Sequence, residues 1–314
     1  MKHMVIGILA VCLALPLLVL AGMITYGTAA APPPLASVYD AVAAMDLSGA
    51  PEEKSFAARD GAKLAYRAYP GSGPAVVVIH GSTGSSLSVH MLAKALNARG
   101  FAVYAPDIRG HGNSGTRGDI GYVGQLEDDL ADMVAALGLK APALVGFSSG
   151  GGFALRVAGS KYGPQFSRYV LLAPYLGHEA PTNQPGNGNW AVAFVPRIIA
   201  ITILNRLGVH WFDGLPVIAF ARRPDPKEPV PTYSFRLQVN FRPDPDFRDD
   251  FRRASRPIAV LLGSDDDEMA AAAYAPAINP IAPSVPVTVL PGLGHMAMTT
   301  APAAIEAVAA ALKP

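Results

Sequence analysis

The sequence of 314 residues predicts an α/β fold with a mostly parallel sheet and helices on both of its faces. Two observations support this prediction. Short apolar runs alternate along the chain with longer helix patterns, which is typical of parallel sheets that are covered on both sides. In addition, the apolar run Ala143–Phe147 leads directly into Gly-Phe-Ser-Ser-Gly at 146–150, and a helix pattern rich in small residues follows.

Eight strands and four helices account for the predicted core. The first two strands, 55–58 and 63–69, are joined at Asp60-Gly61, a dipeptide typical of hairpin turns. The remaining strands lie near 75–80, 101–106, 142–147, 168–173, 257–262 and 285–290, and the helices near 87–98, 122–137, 149–160 and 297–312. Since open sheets of this type bind ligands outside the carboxyl ends of their strands, we expect the functional site at that edge.

The catalytic core is expected over 53–174 and 256–314, with an insertion at 175–255 that is too long for a simple crossover. Its apolar pieces at 190–204 and 207–220 predict a helical cap over the site. Their side chains either line an acyl pocket or form the core of the cap. Acidic neighbours at 225, 249 and 250 favour ordinary surface ion pairs, rather than an anionic headgroup, for four arginines of the insertion: Arg222, Arg223, Arg252 and Arg253.

The first 31 residues contain an uncharged stretch from Val5 to Tyr26, and residues 32–52 read as a linker. About 20 apolar residues cross a bilayer as a helix, whereas the apolar region of a signal peptide has about 7–15. We therefore expect an uncleaved transmembrane anchor, with signal cleavage near Ala31 as the alternative. Lys2 precedes the stretch and no Lys or Arg follows before Lys54, which places the catalytic domain on the non-cytoplasmic side. The Ala/Gly/Pro-rich composition suggests a bacterial source, so we expect this membrane to be the bacterial inner membrane.

Composition excludes several classes of function. A formal net charge of +1 and the lack of a basic stripe give no reason to expect nucleic-acid binding. Cys12 is the single cysteine, so intrachain disulfides and thiol-rich metal sites are excluded. We expect no metal and no organic cofactor, and the sequence predicts no particular oligomeric state.

The segment 146–150 has the Gly-x-Ser-x-Gly pattern of a nucleophile elbow, and it lies between a strand and a helix as that motif requires. The sharp turn forces Ser148 into a strained backbone conformation, so the residues two positions away must be small. Gly146 and Gly150 meet this demand. The pattern also occurs by chance as an ordinary turn in glycine-rich chains, but the preceding strand favours Ser148 as a nucleophile.

A serine hydroxyl needs a base to take its proton and a carboxylate to orient that base. In this type of sheet the order along the chain is serine, acid, histidine, and three histidines follow Ser148: His178, His210 and His295. His295 follows a strand and a Gly/Pro loop, which places it at the same edge as Ser148. We therefore expect His295 to be the base.

The acid is expected just after the strand near 257–262, where four carboxylates follow in a row: Asp265, Asp266, Asp267 and Glu268. Adjacent carboxylates usually form a solvated turn, and at most one of them can face the histidine. Asp266 and Asp267 are close alternatives, and Glu179 is a distant one.

Two backbone N–H groups are expected to bind the oxyanion. One belongs to Ser149, because the first N–H groups of a helix have no partner within it. The other belongs to Ser82, which follows the apolar strand near 75–80, and Gly81 allows the backbone to approach closely. His80 precedes the serine in the chain, so we expect it to support this loop rather than act as the base.

These motifs resemble those of the α/β-hydrolase superfamily, and within it the lysophospholipase/monoacylglycerol-lipase-like and serine-aminopeptidase-like group. The matches follow the family's order across residues 53–312: His-Gly-Ser at 80–82, Pro-Asp-Ile-Arg-Gly-His-Gly-Asn-Ser-Gly at 106–115, Gly-Phe-Ser-Ser-Gly at 146–150, Gly-Ser-Asp-Asp at 263–266 and Gly-Leu-Gly-His at 292–295. The spacing in similar enzymes selects Asp266 as the acid. The resemblance also implies that Asp107 and His111 belong to a structural loop. It further implies an oxyanion hole of the His-Gly-x type, here His-Gly-Ser at 80–82, which is commoner in enzymes that cleave unhindered acyl esters.

We therefore expect a serine hydrolase that cleaves carboxylic esters, lipid-like ones such as acylglycerols or lysophospholipids, through an acyl-enzyme. Its catalytic residues would be Ser148, His295 and Asp266. An aminopeptidase or amidase on the same residues is the nearest alternative. A membrane-tethered binding protein that lost turnover is another, but binding alone does not require a complete Ser/His/Asp set.

Overall fold

A mostly parallel sheet of eight strands forms the centre of the chain in the computed structural model, which describes residues 2–221 and 232–313. The side chains of residues 2–13, 186 and 187 lie outside this description. The strands are β1 (Glu53–Ala57), β2 (Lys63–Tyr69), β3 (Ala75–Ile79), β4 (Ala102–Pro106), β5 (Ala143–Phe147), β6 (Tyr169–Leu172), β10 (Ile258–Gly263) and β11 (Val287–Leu290), where β7 to β9 belong to the insertion. The α/β prediction and the number of strands are confirmed.

The strand order is β1-β2-β4-β3-β5-β6-β10-β11. The strands β1 and β2 pair antiparallel, as do β2 and β4, and all other neighbours in this sheet are parallel. In the centre, Ile79 of β3 pairs with Gly146 of β5, and Phe147 pairs with Leu172 of β6. The carboxyl ends of the central strands therefore lie side by side, and the loops that leave them meet at one edge.

Helices between the strands complete the core. They are α3 (His90–Ala98), α4 (Gln125–Ala136), α5 (Ser149–Gly159), α9 (Tyr274–Ile278) and α10 (Pro302–Ala311). The central strands consist almost entirely of buried Val, Leu and Ile, and the apolar faces of α3, α5 and α10 belong to the same buried cluster. This packing explains why the apolar strand runs show no alternation with polar residues.

The insertion differs from the helical cap that the sequence predicts. It contains α6 (Val195–Arg206), α7 (Phe235–Asn240) and α8 (Phe247–Arg253), but also an antiparallel sheet of β7 (Ala191–Ala193), β8 (Pro216–Phe220) and β9 (Thr232–Ser234). The segment Pro-Val-Ile-Ala-Phe of β8 combines β-branched and aromatic residues, which favour strands once partners on both sides supply the pairing. The insertion is thus a mixture of helices and strands, whereas the sequence predicts helices alone.

Charged side chains of the insertion pair with each other. Arg252 Nη1 lies 2.6 Å from Asp249 Oδ1 at the surface, whereas Arg253 Nη2 lies 2.5 Å from Oδ1 of Asp250, whose side chain is buried. Residues 222–231 lie outside the described part of the chain, and with them Arg222 and Arg223, so their predicted surface pairing stays a prediction.

The amino-terminal segment forms helix α1 (Lys2–Tyr26), followed by the short α2 (Ala36–Ala43). The expected transmembrane helix is not supported: over the residues that the structure describes, none of the helices is both long enough and apolar enough for a membrane span. At the carboxyl end of α1, Arg197 of α6 donates from Nε to the Ile24 carbonyl at 2.7 Å and so caps the helix.

Candidate active site

Ser148 lies at the sharp turn between β5 and α5. Its backbone has φ 55° and ψ −121°, a conformation that side chains of L-residues rarely adopt. Hydrogen bonds hold this strained turn: the Ser148 N–H donates to the Leu172 carbonyl at 2.9 Å, and its carbonyl accepts from Gly152 and Tyr175, each at 3.0 Å. This backbone conformation turns the chain sharply at Ser148, at the end of β5, and the residue lines a cavity there.

Neither of the glycines two positions from Ser148 has room for a side chain. A Cβ at Gly146 would lie 2.2 Å from the Gly150 carbonyl oxygen, and a Cβ at Gly150 would lie 2.3 Å from the His80 carbonyl oxygen. Both neighbours are backbone atoms, which cannot move aside as the end of a side chain can. Small residues at these positions therefore allow β5, α5 and the loop after β3 to approach closely.

Asp266 and His295 meet in the loops that leave β10 and β11. Asp266 Oδ2 accepts a hydrogen bond from His295 Nδ1 at 2.8 Å. The other carboxylate oxygen, Oδ1, accepts from the backbone N–H groups of Glu268 at 2.9 Å and Met269 at 2.7 Å. These donors orient the carboxylate, and the carboxylate in turn fixes the proton of the imidazole on Nδ1, so Nε2 faces the cavity as the atom that can accept a proton.

The imidazole of His295 is buried and lies against the ring of Phe147, with 4.8 Å between ring centroids. Burial alone lowers the pKa of His295, but the nearby carboxylates of Glu268, Asp266 and Asp267 outweigh this effect and raise the pKa to about 9. The positive form of the imidazole is therefore strongly stabilised in this site.

Ser148 and His295 line the same cavity. Within residues 2–221 and 232–313, no hydrogen bond joins their side chains, and the charged neighbour of His295 Nε2 is instead Glu268, whose Oε2 lies 3.6 Å away. Nucleophile and base are often loosely placed in a free enzyme and tighten when substrate binds. The structure thus places the carboxylate of Asp266 against the imidazole of His295, and His295 on the wall of the cavity that Ser148 also lines.

Ser82 and Ser149 lie beside Ser148 and contact each other. Their hydroxyl oxygens are 2.6 Å apart, so one donates a hydrogen bond to the other across the loops that follow β3 and β5. Ser149 is the first residue of α5, and its N–H group therefore has no acceptor within the helix. Ser82 lines the cavity together with Ser148. Ser82, Ser148 and Ser149 also lie together at a second, smaller cavity. The backbone N–H groups of Ser82 and Ser149 are therefore the candidate donors to the negative oxygen that would form when Ser148 attacks a carbonyl carbon.

Two cavities meet at Ser148. The larger has a volume of about 210 Å³ and a mixed lining, in which apolar side chains such as Leu87, Phe147 and Met296 lie beside polar ones: Glu53, Arg67, Asn113, Arg117, Ser82 and His295. The smaller has a volume of about 50 Å³ and is lined mainly by apolar side chains of the insertion and of the acid loop: Tyr175, Trp190, Ile218, Phe220 and Met269. Four residues line both cavities: Ser82, Ser148, Trp190 and Glu268.

The two other candidate histidines and three of the other candidate carboxylates lie away from the cavities. His178 and Glu179 are exposed, and His210 is exposed and paired with Asp213 at 3.3 Å. Asp265 and Asp267 are exposed on the acid loop. The structure therefore brings Asp266, and neither of its neighbours in the aspartate run, to the histidine.

His80, Asp107 and His111 are buried and bonded to the backbone. His80 Nε2 accepts from the Ile108 N–H at 3.1 Å, so its Nδ1 carries the proton and donates to the Gly81 carbonyl at 2.8 Å. Asp107 accepts from the N–H groups of Ser86 at 2.7 Å and Asn113 at 2.9 Å. His111 Nδ1 donates to the Ile108 carbonyl at 3.1 Å. These contacts hold together the loops after β3 and β4.

Glu268 is the residue of the site that the sequence did not reveal, whereas Trp190 belongs to the apolar piece that was expected either to line a pocket or to form the core of the cap. Glu268 was counted among the solvated carboxylates of its run, yet its side chain is buried in the site. Its neighbours 265 and 267 are exposed while 266 and 268 are buried, a difference that follows from the path of the loop and has no counterpart in the run of four acidic residues. Across the described part of the chain, His, Cys, Asp and Glu form no group of three or more that could hold a metal ion.

A family described as the alpha/beta hydrolase family matches residues 76–310 of this chain. The match covers well over half of the sequence and includes the elbow, the acid loop and the histidine loop. The chain therefore belongs to the alpha/beta hydrolase family.

Curated relatives share parts of the chain. It is 31% identical over 134 residues to an N-formylmaleamate deformylase of Pseudomonas putida, covering 42% of this chain and 49% of the relative. It is 33% identical over 138 residues to a monoacylglycerol lipase of Mycolicibacterium smegmatis, covering 41% and 48%. The chain thus matches about half the length of these relatives. The lipase relative agrees with the lipase-like group that the motifs indicate.

The fold as a whole resembles solved structures. A crystal structure of a membrane phospholipase A, described as a bacterial virulence factor, superposes with a TM-score of 0.60 and covers 99% of this chain and 97% of that one. The sequence identity is 21%, so this likeness concerns the fold alone.

Proposed function

We propose that this protein is a serine hydrolase that cleaves carboxylic esters through an acyl-enzyme on Ser148. The observation that supports it most is the hydrogen bond of 2.8 Å between Asp266 and His295, beside the cavity lined by a strained Ser148. A carboxylate that fixes the tautomer of a histidine next to a serine is the arrangement that turns a weak alcohol into a nucleophile.

In the first half of the reaction, Ser148 Oγ attacks the ester carbonyl carbon while His295 Nε2 takes the hydroxyl proton. The carbonyl oxygen becomes negative and accepts hydrogen bonds from the N–H groups of Ser82 and Ser149. Removal of one such donor costs about 3–4 kcal/mol in related chemistry. The tetrahedral intermediate then expels the alcohol, which receives the proton from the imidazolium.

In the second half, water attacks the acyl group on Ser148 and passes its proton to the same Nε2. Asp266 stabilises the imidazolium in both halves without taking its proton. The second intermediate returns that proton to Ser148 as the carboxylic acid leaves. Ser148 and His295 together carry out every proton transfer of this cycle, and water is the only reactant besides the ester.

The two cavities suggest how an ester would lie. The smaller cavity under Trp190, Ile218 and Phe220 suits the acyl group, and the larger cavity, whose walls are partly polar and partly apolar, suits an alcohol that itself has polar and apolar parts. We therefore propose a lipid-like ester with a polar alcohol portion, of the acylglycerol or lysophospholipid kind. The monoacylglycerol lipase among the relatives agrees with this class.

The deformylase among the relatives supports a second candidate, hydrolysis of an amide on the same three residues. Both candidates predict an acyl-enzyme, so the substrate panel must separate them. A panel of p-nitrophenyl esters, monoacylglycerols, lysophospholipids and aminoacyl-naphthylamides tests this directly. Faster turnover of the amides than of the esters would decide for the amidase.

The serine's role is tested with Ser148→Ala against p-nitrophenyl butyrate. The exposed neighbour Asp267→Asn provides a control on the acid loop. We expect turnover by Ser148→Ala to fall to the background rate, because the hydroxyl of the neighbouring Ser149 is engaged by Ser82 at 2.6 Å and stands on the helix rather than at the strained turn, while the protein stays folded. Undiminished turnover in that variant would refute the proposed role.

The uncharged stretch from Val5 to Tyr26 supports a further proposal, made from the sequence, that the amino terminus tethers a non-cytoplasmic hydrolase to a membrane. Fractionation of the full chain and of a variant that lacks residues 1–31 tests it. Recovery of both proteins in the soluble fraction would contradict the tether.

A further inference from the structure

A second carboxylate lies beside the proposed base, on the side opposite Asp266. Glu268 is buried, with 6% of its surface exposed, and it lines both cavities that meet at Ser148. Its Oε2 lies 3.6 Å from His295 Nε2, while Asp266 occupies Nδ1 at 2.8 Å. The imidazole is therefore held between two carboxylates, one at each ring nitrogen.

Within residues 2–221 and 232–313, no N–H or O–H group donates a hydrogen bond to the side chain of Glu268. Only its backbone is bonded: its N–H donates to Asp266 Oδ1, and its carbonyl accepts from Gln184 at 2.9 Å. A buried carboxylate without donors is costly in its charged form unless a positive group lies close by. The imidazolium of His295 is the nearest group that can supply this charge.

The charge on Glu268 has a direct consequence for the proposed reaction. Nε2 must be free of its proton before it can take the proton of Ser148, but an ionised Glu268 stabilises the form in which Nε2 is protonated. Resting on the proposed function, we propose that Glu268 is a positioning residue that pairs with the His295 imidazolium and so sets the proton occupancy of Nε2, the atom that must serve Ser148.

The electrostatics of the site agree with this role. Burial raises the pKa of Glu268 to about 7, and the positive charge of His295 opposes that increase. After the lowering effect of burial, Glu268 is the strongest of the influences on the pKa of His295, and it raises that pKa. Among the residues that the structure describes, the other charged or titratable groups around the pair are Asp266, the exposed Asp267, the buried Tyr274, Tyr175 of the smaller cavity and, on the walls of the larger cavity, Tyr39, Glu53, Arg67, Asp107 and Arg117.

The proton occupancy can be measured without turnover. In the Ser148→Ala protein, the imidazole of His295 is titrated by NMR, alone and in combination with Glu268→Gln. Removal of a carboxylate this close is expected to lower the pKa of His295 by about one unit or more. The matched control is Asp267→Asn, which removes the same charge at an exposed position, where water and salt screen it, and we expect a smaller shift there.

Whereas Glu268→Gln keeps the shape of the side chain, Glu268→Ala removes the same charge and shortens the side chain. It is expected to shift the titration in the same direction, so the test does not depend on the folding of one variant. The thermal unfolding midpoint of each protein is measured beside its titration. An unchanged or higher pKa of His295 in both Glu268 variants would overturn the proposal.

The pH profile of kcat/KM provides the second readout, with Ser148 intact. The acid limb of Glu268→Gln is expected to move to lower pH by the same amount as the NMR pKa, and that of Asp267→Asn to move less. Failure of the proposed function is seen separately, as turnover that persists in Ser148→Ala. A Glu268→Gln profile that overlays the wild-type profile would contradict the role of Glu268 while leaving the nucleophile intact.

Discussion

Asp266 Oδ2 lies 2.8 Å from His295 Nδ1, and its partner oxygen is held by two backbone N–H groups. The carboxylate is therefore fixed before any substrate binds, and it determines which ring nitrogen of His295 can act as a base. Since Asp266 and His295 are 29 positions apart in the chain, neighbouring parallel strands, β10 and β11, are what bring them together.

Asp266→Asn tests the importance of this contact. An amide cannot stabilise the imidazolium and can hold the imidazole in the wrong tautomer, so we expect kcat to fall about 10⁴-fold. Steady-state hydrolysis of p-nitrophenyl butyrate measures the loss. Asp267→Asn, one residue along the loop, should retain most of the activity. Equal losses in the two variants would contradict the assignment of Asp266.

Gly150→Ala tests the close packing of the elbow. A Cβ there would lie 2.3 Å from the His80 carbonyl oxygen, so the loop after β3 must shift, at a cost of about 1–3 kcal/mol for an overpacked site. We expect a lower unfolding midpoint and a large loss of turnover. Gly294→Ala is the control, because its Cβ would meet only the Asp265 carbonyl oxygen at 3.6 Å. Equal unfolding midpoints of the two variants would show that the elbow has room.

The pH dependence of kcat/KM follows from the charge on His295. The neighbouring carboxylates raise the pKa of His295 to about 9, and only the neutral imidazole can accept the serine proton. Activity of the free enzyme is therefore expected to rise as pH increases above 6.5 towards 9. Initial rates corrected for spontaneous ester hydrolysis measure this profile. A rate that is already constant from pH 6 upwards would be inconsistent with the two-carboxylate environment.

Ile218→Ala tests the assignment of the smaller cavity to the acyl chain. Removal of this side chain enlarges an apolar cavity of about 50 Å³, and longer chains should gain relative to shorter ones. A single methylene in such a pocket changes kcat/KM about 10–200-fold, so the ratio of hexanoate to acetate turnover should rise by at least the lower value. Ile199→Ala, at an exposed position of α6, should leave the ratio unchanged. An unchanged ratio in Ile218→Ala would place the acyl chain elsewhere.

Much of the core could be predicted because the apolar strand runs and the order of the motifs along the chain indicate the same sheet. The strand β5 is a short apolar run followed by a turn that only glycines allow, and the same sequence predicts both the strand and the elbow. The order of the loops along a parallel sheet then predicts that Ser148, Asp266 and His295 share one edge. Apolarity and motif order are sufficient for this part of the fold.

The insertion could not be predicted in the same way. β8 pairs with β7 and β9, which are separated from it in the chain, and although its β-branched and aromatic residues favour a strand, the periodicity of five residues cannot distinguish a strand from a buried piece of helix. The role of Glu268 was also hidden, because four consecutive carboxylates resemble a solvated turn. Only the path of the loop shows that positions 266 and 268 face inwards while 265 and 267 face water.

The proposed reaction requires Ser148 to be a nucleophile that His295 activates. The reactivity of Ser148 is measured by labelling of the wild-type protein with a fluorophosphonate probe, followed by mass spectrometry of its peptides. We predict a single covalent adduct on Ser148, formed much more slowly in Asp266→Asn and His295→Ala. An inert Ser148 in a folded protein, or an adduct that forms equally fast without His295, would contradict the proposed reaction.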